Sequence, residues 1–262
     1  IMSLLEARAL SIGYRQRPVG EGISFTLELG RSLCLLGPNG GGKTTLFRTL
    51  LGVLPPLAGE VRVADRPLAD WSRQALAQTI AYVPQAHAGL FAFSVEEIVL
   101  MGRTARLGRF STPARTDRAV AARVLEQLGI AHLAGRIYTE ISGGERQLAL
   151  IARALAQEAK LLILDEPTAS LDFGNQLRVL AKIDELKQDG MAILMSTHQP
   201  EHAMRSADTL ALLNKGRIVA QGAVREMATA EQLAALYEVD PAAVSASLPL
   251  LHAGNRLEES MA

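Results

Sequence analysis

The sequence predicts an α/β fold with a mainly parallel sheet, an amino-terminal antiparallel β part and an inserted helical part. Three observations predict it. Ser32-Leu33-Cys34-Leu35-Leu36 is an almost unbroken apolar run that opens into a glycine-rich loop, as a strand buried on both faces does. Apolar runs recur at 161–164 and 192–196, with a helical pattern at 176–188 between them. From 87 to 157 the apolar residues fall three to four apart, which is helical spacing, and this block interrupts the strands.

Taken in order, 4–12 and 23–29 alternate apolar and polar residues, the pattern of half-buried strands, and Gly30-Arg31 turns the chain into the buried strand 32–36. A helix over 44–51 follows the glycine loop and ends at Gly52. Pro55, Pro56 and Gly59 form a turn before a strand at 60–63. Asp70 or Ser72 is placed to cap a helix running through Gln78, and a short strand at 80–83 ends at Pro84-Gln85. Within the helical block the segments 95–101, 117–128 and 144–156 are the helices. Later, 210–213 and 217–220 suggest a hairpin around residues 214–216, and 230–237 is a short helix before a poorly patterned tail rich in Ala, Pro and Ser. No internal repeat is visible.

Composition narrows the classes. The chain has 262 residues, 48% of them hydrophobic, enough for a substantial core. Lys plus Arg and Asp plus Glu both number 27, so no basic excess points to nucleic acid, and none is expected as a partner. The single cysteine, Cys34, lies in an apolar run and reads as a small buried hydrophobe, and one thiol per chain fits a reducing, cytoplasmic setting. Residues 1–8 contain Glu6 and no long apolar core, so no secretory leader is expected there. No stretch approaches the roughly 18 apolar residues that span a bilayer, so work at a membrane would need a partner to hold the chain there.

Gly37-Pro38-Asn39-Gly40-Gly41-Gly42-Lys43-Thr44 matches G-x-x-x-x-G-K-[ST]. Its glycines let successive N–H groups point at phosphate oxygens, and the following helix adds its positive end. Lys43 supplies a full charge to β and γ phosphates, and the Thr44 hydroxyl can ligate Mg²⁺. Leu161-Leu162-Ile163-Leu164 ends in Asp165-Glu166. A carboxylate at the carboxyl end of such a strand faces the crevice where ligands bind. Asp165 is the candidate for the Mg²⁺ shell and Glu166 for polarising a water against the γ phosphate. Ser142-Gly143-Gly144-Glu145 is a second glycine turn at the start of a second helix, and so a second anion site: Ser142 is a good N-cap and the two glycines clear space for close approach.

On these residues the chain resembles the ATP-binding cassette (ABC) family, P-loop NTPases with a RecA-like core, whose signature reads L-S-G-G-Q. Here Ile141 replaces the Leu and Glu145 the Gln, with the serine and glycines kept. Further matches follow the family's order over nearly the whole chain. The resemblance implies that Tyr14 stacks on adenine and that the bound ATP lies on residues 37–44 together with Thr45. It implies that Gln85 senses Mg²⁺ and faces a transport subunit, that Asp172 in Ser170-Leu171-Asp172 links two sites, and that His198 is the switch histidine at the γ phosphate. It also implies a homodimer in which Ser142 to Glu145 of one subunit cap the ATP held by Lys43 of the other. The single cassette then divides into a core with its β part (1–86 and 158–222), a helical signature part (87–157) and a tail (223–262).

Phe93-Ser94-Val95-Glu96-Glu97-Ile98-Val99-Leu100-Met101-Gly102-Arg103 resembles the F-[ST]-V-x-[DE]-x-V-x-x-G-R run of iron-siderophore, haem and cobalamin importer ATPases, and the segment 230–239 resembles their tail. Molybdate and tungstate importers share these features, and Thr197-His198-Gln199-Pro200 departs from the commoner T-H-D. The resemblance implies an ATP- and Mg²⁺-dependent ATPase on the cytoplasmic face of the inner membrane. It would work under two permease subunits fed by an extracytoplasmic binding protein. The competing class is a soluble ABC ATPase of cofactor assembly. His198 and His202, four apart, are discounted as a metal pair because Pro200 falls between them. His87, His132 and His252 read as surface or loop residues, Trp71 as a packing residue and Glu258-Glu259 as solvated tail. Leu90, Phe91 and Phe93 are left between core and contact surface.

Overall fold

In the computed structural model, residues 3–15, 17–85, 92–107 and 111–248 are described. In chain order the elements are β1 (Ser3–Tyr14), β2 (Arg17–Glu28), β3 (Ser32–Leu36), α1 (Lys43–Leu50), β4 (Ala58–Val63), β5 (Arg66–Pro67), α2 (Arg73–Thr79), β6 (Ile80–Val83), α3 (Val95–Leu100), α4 (Arg115–Gln127), α5 (Gly143–Leu155) and β7 (Leu161–Asp165). They continue as α6 (Phe173–Gln188), β8 (Ala192–Thr197), α7 (Pro200–Ser206), β9 (Thr209–Asn214), β10 (Arg217–Ala223), α8 (Val224–Met227), α9 (Ala230–Tyr237) and α10 (Pro241–Ser247). The chain forms two compact units, one of residues 1–68 with 194–262 and one of 69–193.

The first unit holds an antiparallel sheet in the order β2-β1-β4-β5. Leu5, Ala7, Leu10 and Ile12 of β1 and Ile23, Phe25 and Leu27 of β2 are buried, so alternation turns one face of the pair inward. The register slips between Ala7 and Leu10, where Ala9 sits at φ 44° and its N–H is held by Ser24 Oγ at 2.8 Å, a bulge with its donor satisfied. β3 is buried at all five positions and pairs parallel with β9, which pairs antiparallel with β10. Ser32 and Asp208 fix the start of that pairing: the Ser32 N–H donates to Asp208 Oδ2 at 2.8 Å and the Asp208 N–H to Ser32 Oγ at 2.9 Å. The β9–β10 hairpin turns at Lys215-Gly216, both at positive φ. A Cβ on Gly216 would lie 2.0 Å from the Val19 carbonyl oxygen, so only glycine fits there. Cys34 is buried in β3, and burial pushes its thiol pKa far above the ordinary range.

In the second unit β6 and β7 pair in parallel, and α3, α4 and α5 pack on one another. α5 is its central helix, buried over Gln147, Leu148, Ala149, Leu150, Ile151 and Ala152. Ser72 caps α2 through the Ala75 N–H, and Ser94 with Glu97 closes a capping box on α3. After α3 a 3₁₀ segment at Met101–Ala105 runs against the last turn of α5, and a Cβ on Gly102 would lie 2.0 Å from the Arg153 carbonyl oxygen. Arg103, also buried, donates to Asp117 Oδ1 of α4 at 2.8 Å, to the Ala156 carbonyl at 2.7 Å and to Glu158 Oε2 at 2.8 Å.

The expected strands and helices are present, though β2 starts at Arg17 rather than Ile23, β5 and α8 were not expected, and two further differences have a local cause. α6 starts at Phe173 rather than Gln176, because Asp172 caps it through the Asn175 N–H at 2.9 Å. The tail, read as unpatterned, forms α10, started by Asp240 and Pro241. Phe93 is partly exposed and His132 exposed. Leu90, Phe91, His87, His252, Glu258 and Glu259 lie outside the described residues. No helix among the described residues is long and apolar enough to cross a membrane.

Candidate functional site

In the first unit β3 delivers the chain to the glycine loop. The Gly37 N–H donates to the Thr197 carbonyl at 3.3 Å, and a Cβ on Gly37 would lie 2.0 Å from the Leu213 carbonyl oxygen. Gly40 and Gly42 take left-handed φ of 79° and 96°, and Gly42 caps α1 without a side chain. The first turn of α1 carries no acidic residue, so its positive end is left for an anion. Lys43 is buried, and its Nζ donates to the Gly37 carbonyl at 2.8 Å and the Pro38 carbonyl at 3.1 Å, which holds the ammonium inside the loop. Asn39 and Thr44 are exposed and Thr45 is buried. Tyr14, 44% exposed, accepts from Arg48 Nη1 at 2.8 Å. Hydrogen bonding to Thr45, with a smaller part from Arg48, lowers its phenol pKa.

His198 follows β8, half-buried and one residue before the N-cap of α7. Gln199 is that N-cap and makes no side-chain cap bond, whereas an Asp would; its N–H is taken instead by Thr197 Oγ1 at 3.1 Å. The Tyr237 hydroxyl donates to the His198 carbonyl at 2.7 Å. His202 is buried in α7, and burial lowers its imidazole pKa. No cluster of three or more metal-ligating side chains occurs among the described residues.

In the second unit β7 ends in buried Asp165 and half-buried Glu166. Glu166 lies at φ 48°, a left-handed conformation that costs a non-glycine residue about 1–2 kcal/mol. Tyr82, on neighbouring β6, donates to Asp165 Oδ2 at 3.4 Å, and Gln85 is exposed just past that strand. Ser142 and Glu145 form a reciprocal capping box at the start of α5: the Ser142 N–H donates to Glu145 Oε2 at 2.7 Å and the Glu145 N–H to Ser142 Oγ at 3.3 Å. Hydrogen bonds to its carboxylate from the Ser142 side chain and, next, the Ser142 backbone N–H lower the Glu145 pKa. The hydrogen bond from the Asn175 backbone likewise lowers that of Asp172, the cap of α6. A Cβ on Gly144 would lie 2.3 Å from Asn175 Cγ, so the first turns of α5 and α6 touch, and Gly143 lies close to Leu171.

The structure thus gathers Tyr14, residues 37–45 and His198 in the first unit, and Gln85, Ser142 to Glu145, Asp165, Glu166 and Asp172 in the second. Sequence reading gave no role to Arg48, Tyr82, Asn175 or Tyr237, though Tyr82, just before the Gln85 match, and Tyr237, in the tail match, stood in patterns that could have flagged them. The loop's donors and the buried Lys43 suit a polyphosphate, and the oxygens of Thr44 in the first unit, and of Gln85 and Asp165 in the second, are each hard donors of the kind Mg²⁺ takes.

Residues 21–169 match the family model described as ABC transporter. Across 258 residues the chain is 47% identical to an ABC transporter ATP-binding protein of Haemophilus influenzae, covering 98% of this chain and 96% of the relative. It is 41% identical to the molybdate import ATP-binding protein MolC of the same organism (83% of this chain, 81% of the relative). It is 40% identical to the hemin import ATP-binding protein HmuV of Streptomyces coelicolor (90% and 83%). Among solved structures, an inward-facing ABC transporter described as metal-chelate type matches with a TM-score of 0.80 at 39% identity, covering 90% of this chain and 89% of that one.

Proposed function

The chain belongs to the ABC transporter family and is an ATPase of that family, and from that premise we propose that it is the ATP-hydrolysing subunit of an importer of a metal chelate of the iron-siderophore, haem or cobalamin type. The observation that carries this reading is the pair of glycine turns, at residues 37–44 and 142–145, each opening a helix. One turn is enough to hold a nucleotide; two suit a nucleotide held between two copies of the chain. The hemin-import relative and the metal-chelate-type structure support the cargo class. A second reading, molybdate or tungstate import, has the support of the molybdate-import relative and of Gln199 in place of the commoner Asp.

In this reading the backbone of residues 37–42, with Lys43 and Thr45, holds the ATP phosphates and Tyr14 stacks on adenine. Mg²⁺, held by Thr44 and Asp165 with Gln85 sensing it, would shield the phosphate charge. Glu166 accepts a proton from the attacking water, and His198 hydrogen-bonds the γ phosphate. The partner copy supplies Ser142, Gly143, Gly144 and Glu145, with Asp172 beside them. Hydrolysis divides the shared charge, and the dimer opens. Two permease subunits would hold the pair at the cytoplasmic face of the inner membrane, with a binding protein on the other side delivering cargo.

The experiment is Glu166→Gln. The variant is expected to bind MgATP, to lose turnover by about 100-fold or more as general-base catalysis is removed, and to elute as a dimer in ATP and a monomer in ADP. Elution as a monomer in saturating ATP would reject the shared site.

A further inference from the structure

We propose that Tyr237, at the end of the tail helix α9, is a positioning residue that sets the direction of His198. The inference rests on the role of His198 given above. The peptide group joining His198 to Gln199 has two polar ends, and both are held. Its carbonyl accepts from the Tyr237 hydroxyl at 2.7 Å, and its N–H donates to Thr197 Oγ1 at 3.1 Å. With both ends fixed, the plane cannot rotate, and ψ of His198 is fixed with it. One residue upstream, the Thr197 carbonyl accepts from the Gly37 N–H at 3.3 Å, which ties the same segment to the phosphate loop. Downstream, Pro200 has no N–H to give, Gln199 makes no side-chain cap, and α7 reaches back to the Gln199 carbonyl through the Ala203 N–H at a long 3.4 Å.

α9 is built to hold that hydroxyl still. Leu233, Ala234 and Leu236 are buried, and Thr229 caps the helix through the Gln232 N–H at 3.2 Å. Glu238, at φ 57°, ends it and pairs with Lys215 of the β9–β10 turn at 2.9 Å. Tyr237 therefore stands on the last turn of an anchored helix, 39 residues on from the carbonyl it binds. A half-buried phenol often finds any nearby carbonyl; this one is placed on the peptide group that aims the imidazole.

The test is Tyr237→Phe in the full chain, which removes one oxygen and keeps the ring. Loss of one ordinary hydrogen bond predicts a fall in kcat of about two- to tenfold. The KM for ATP and the melting temperature should stay near wild type. Hydrogen exchange at the Gln199 amide should quicken while the α9 amides keep their protection. Leu233→Ala, which loosens the whole helix, should instead lower the melting temperature and speed exchange across α9. Unchanged kcat with unchanged exchange at Gln199 overturns the proposal, and so does a Tyr237→Phe effect that spreads through α9, which would mark a purely structural bond. If His198→Ala retains full turnover, the catalytic reading of His198 falls and this proposal with it. If His198→Ala is impaired while Tyr237→Phe behaves as wild type, only the positioning role falls.

Discussion

At Gly37 an added methyl carbon would lie 2.0 Å from the Leu213 carbonyl oxygen, a backbone atom that cannot swing aside. Gly37→Ala is therefore expected to cost about 1–3 kcal/mol, as overpacking does, read as an earlier urea midpoint, and to weaken ATP binding because the loop must move. At Gly144 an added Cβ would meet Asn175 Cγ at 2.3 Å and its Cβ at 2.8 Å, so that side chain must shift its base. Glu145 shows how one residue serves two needs. Its carboxylate closes the capping box on Ser142, a bond that the glutamine of the family signature could also make from its side-chain oxygen. The substitution therefore keeps the helix start while adding a charge to it.

Among the elements, α5 carries the serine-led turn at one end and is pinned at the other. Gly102 lets the 3₁₀ segment touch its last turn, and Arg103 binds the Ala156 carbonyl beyond it. The hydrogen bond from Arg103, helped by the Ala114 N–H, holds the Asp117 carboxyl below its ordinary pKa. A lowered folded-state value means that this stabilisation is complete above the unfolded value, near pH 4, and is lost as pH falls through the lower folded value. Asp117→Asn should therefore be less stable than wild type at pH 7, and the gap should narrow below about pH 4 as wild type protonates; urea midpoints across pH 2–7 measure it. The strands and most helices were legible because alternation and three-to-four spacing are written in single residues. The start of α6 was not, because Gly174 and Asn175 look like loop and only the cap on Asp172 begins the helix. The Gly102-Arg103 pair was legible as a motif, but its reason was not, since it lies in Arg153, Ala156 and Asp117, residues far apart in the chain. Within the site, the glycine loop could be read from spacing, and the carboxylate pair from its strand beside that loop; the tail match marks Tyr237 but not the main-chain oxygen it binds.

For the whole molecule, the assignment to an importer sets an expectation about coupling. ATP turnover by the purified chain should rise severalfold when it is reconstituted in liposomes with a permease encoded beside its gene, and no rise with any such permease would favour the cofactor-assembly class. In the proposed dimer, Phe173, 74% exposed directly after Asp172, would stand beside the second copy. Cys34 matters here in a different way. As the one sulfhydryl in the chain, shut inside β3 and held protonated, it stays silent toward maleimide dyes while the fold is intact. A cysteine introduced at an exposed position would then take up a fluorophore alone, so distances between two copies could be followed through the ATP cycle without first stripping the native chain of its own thiol.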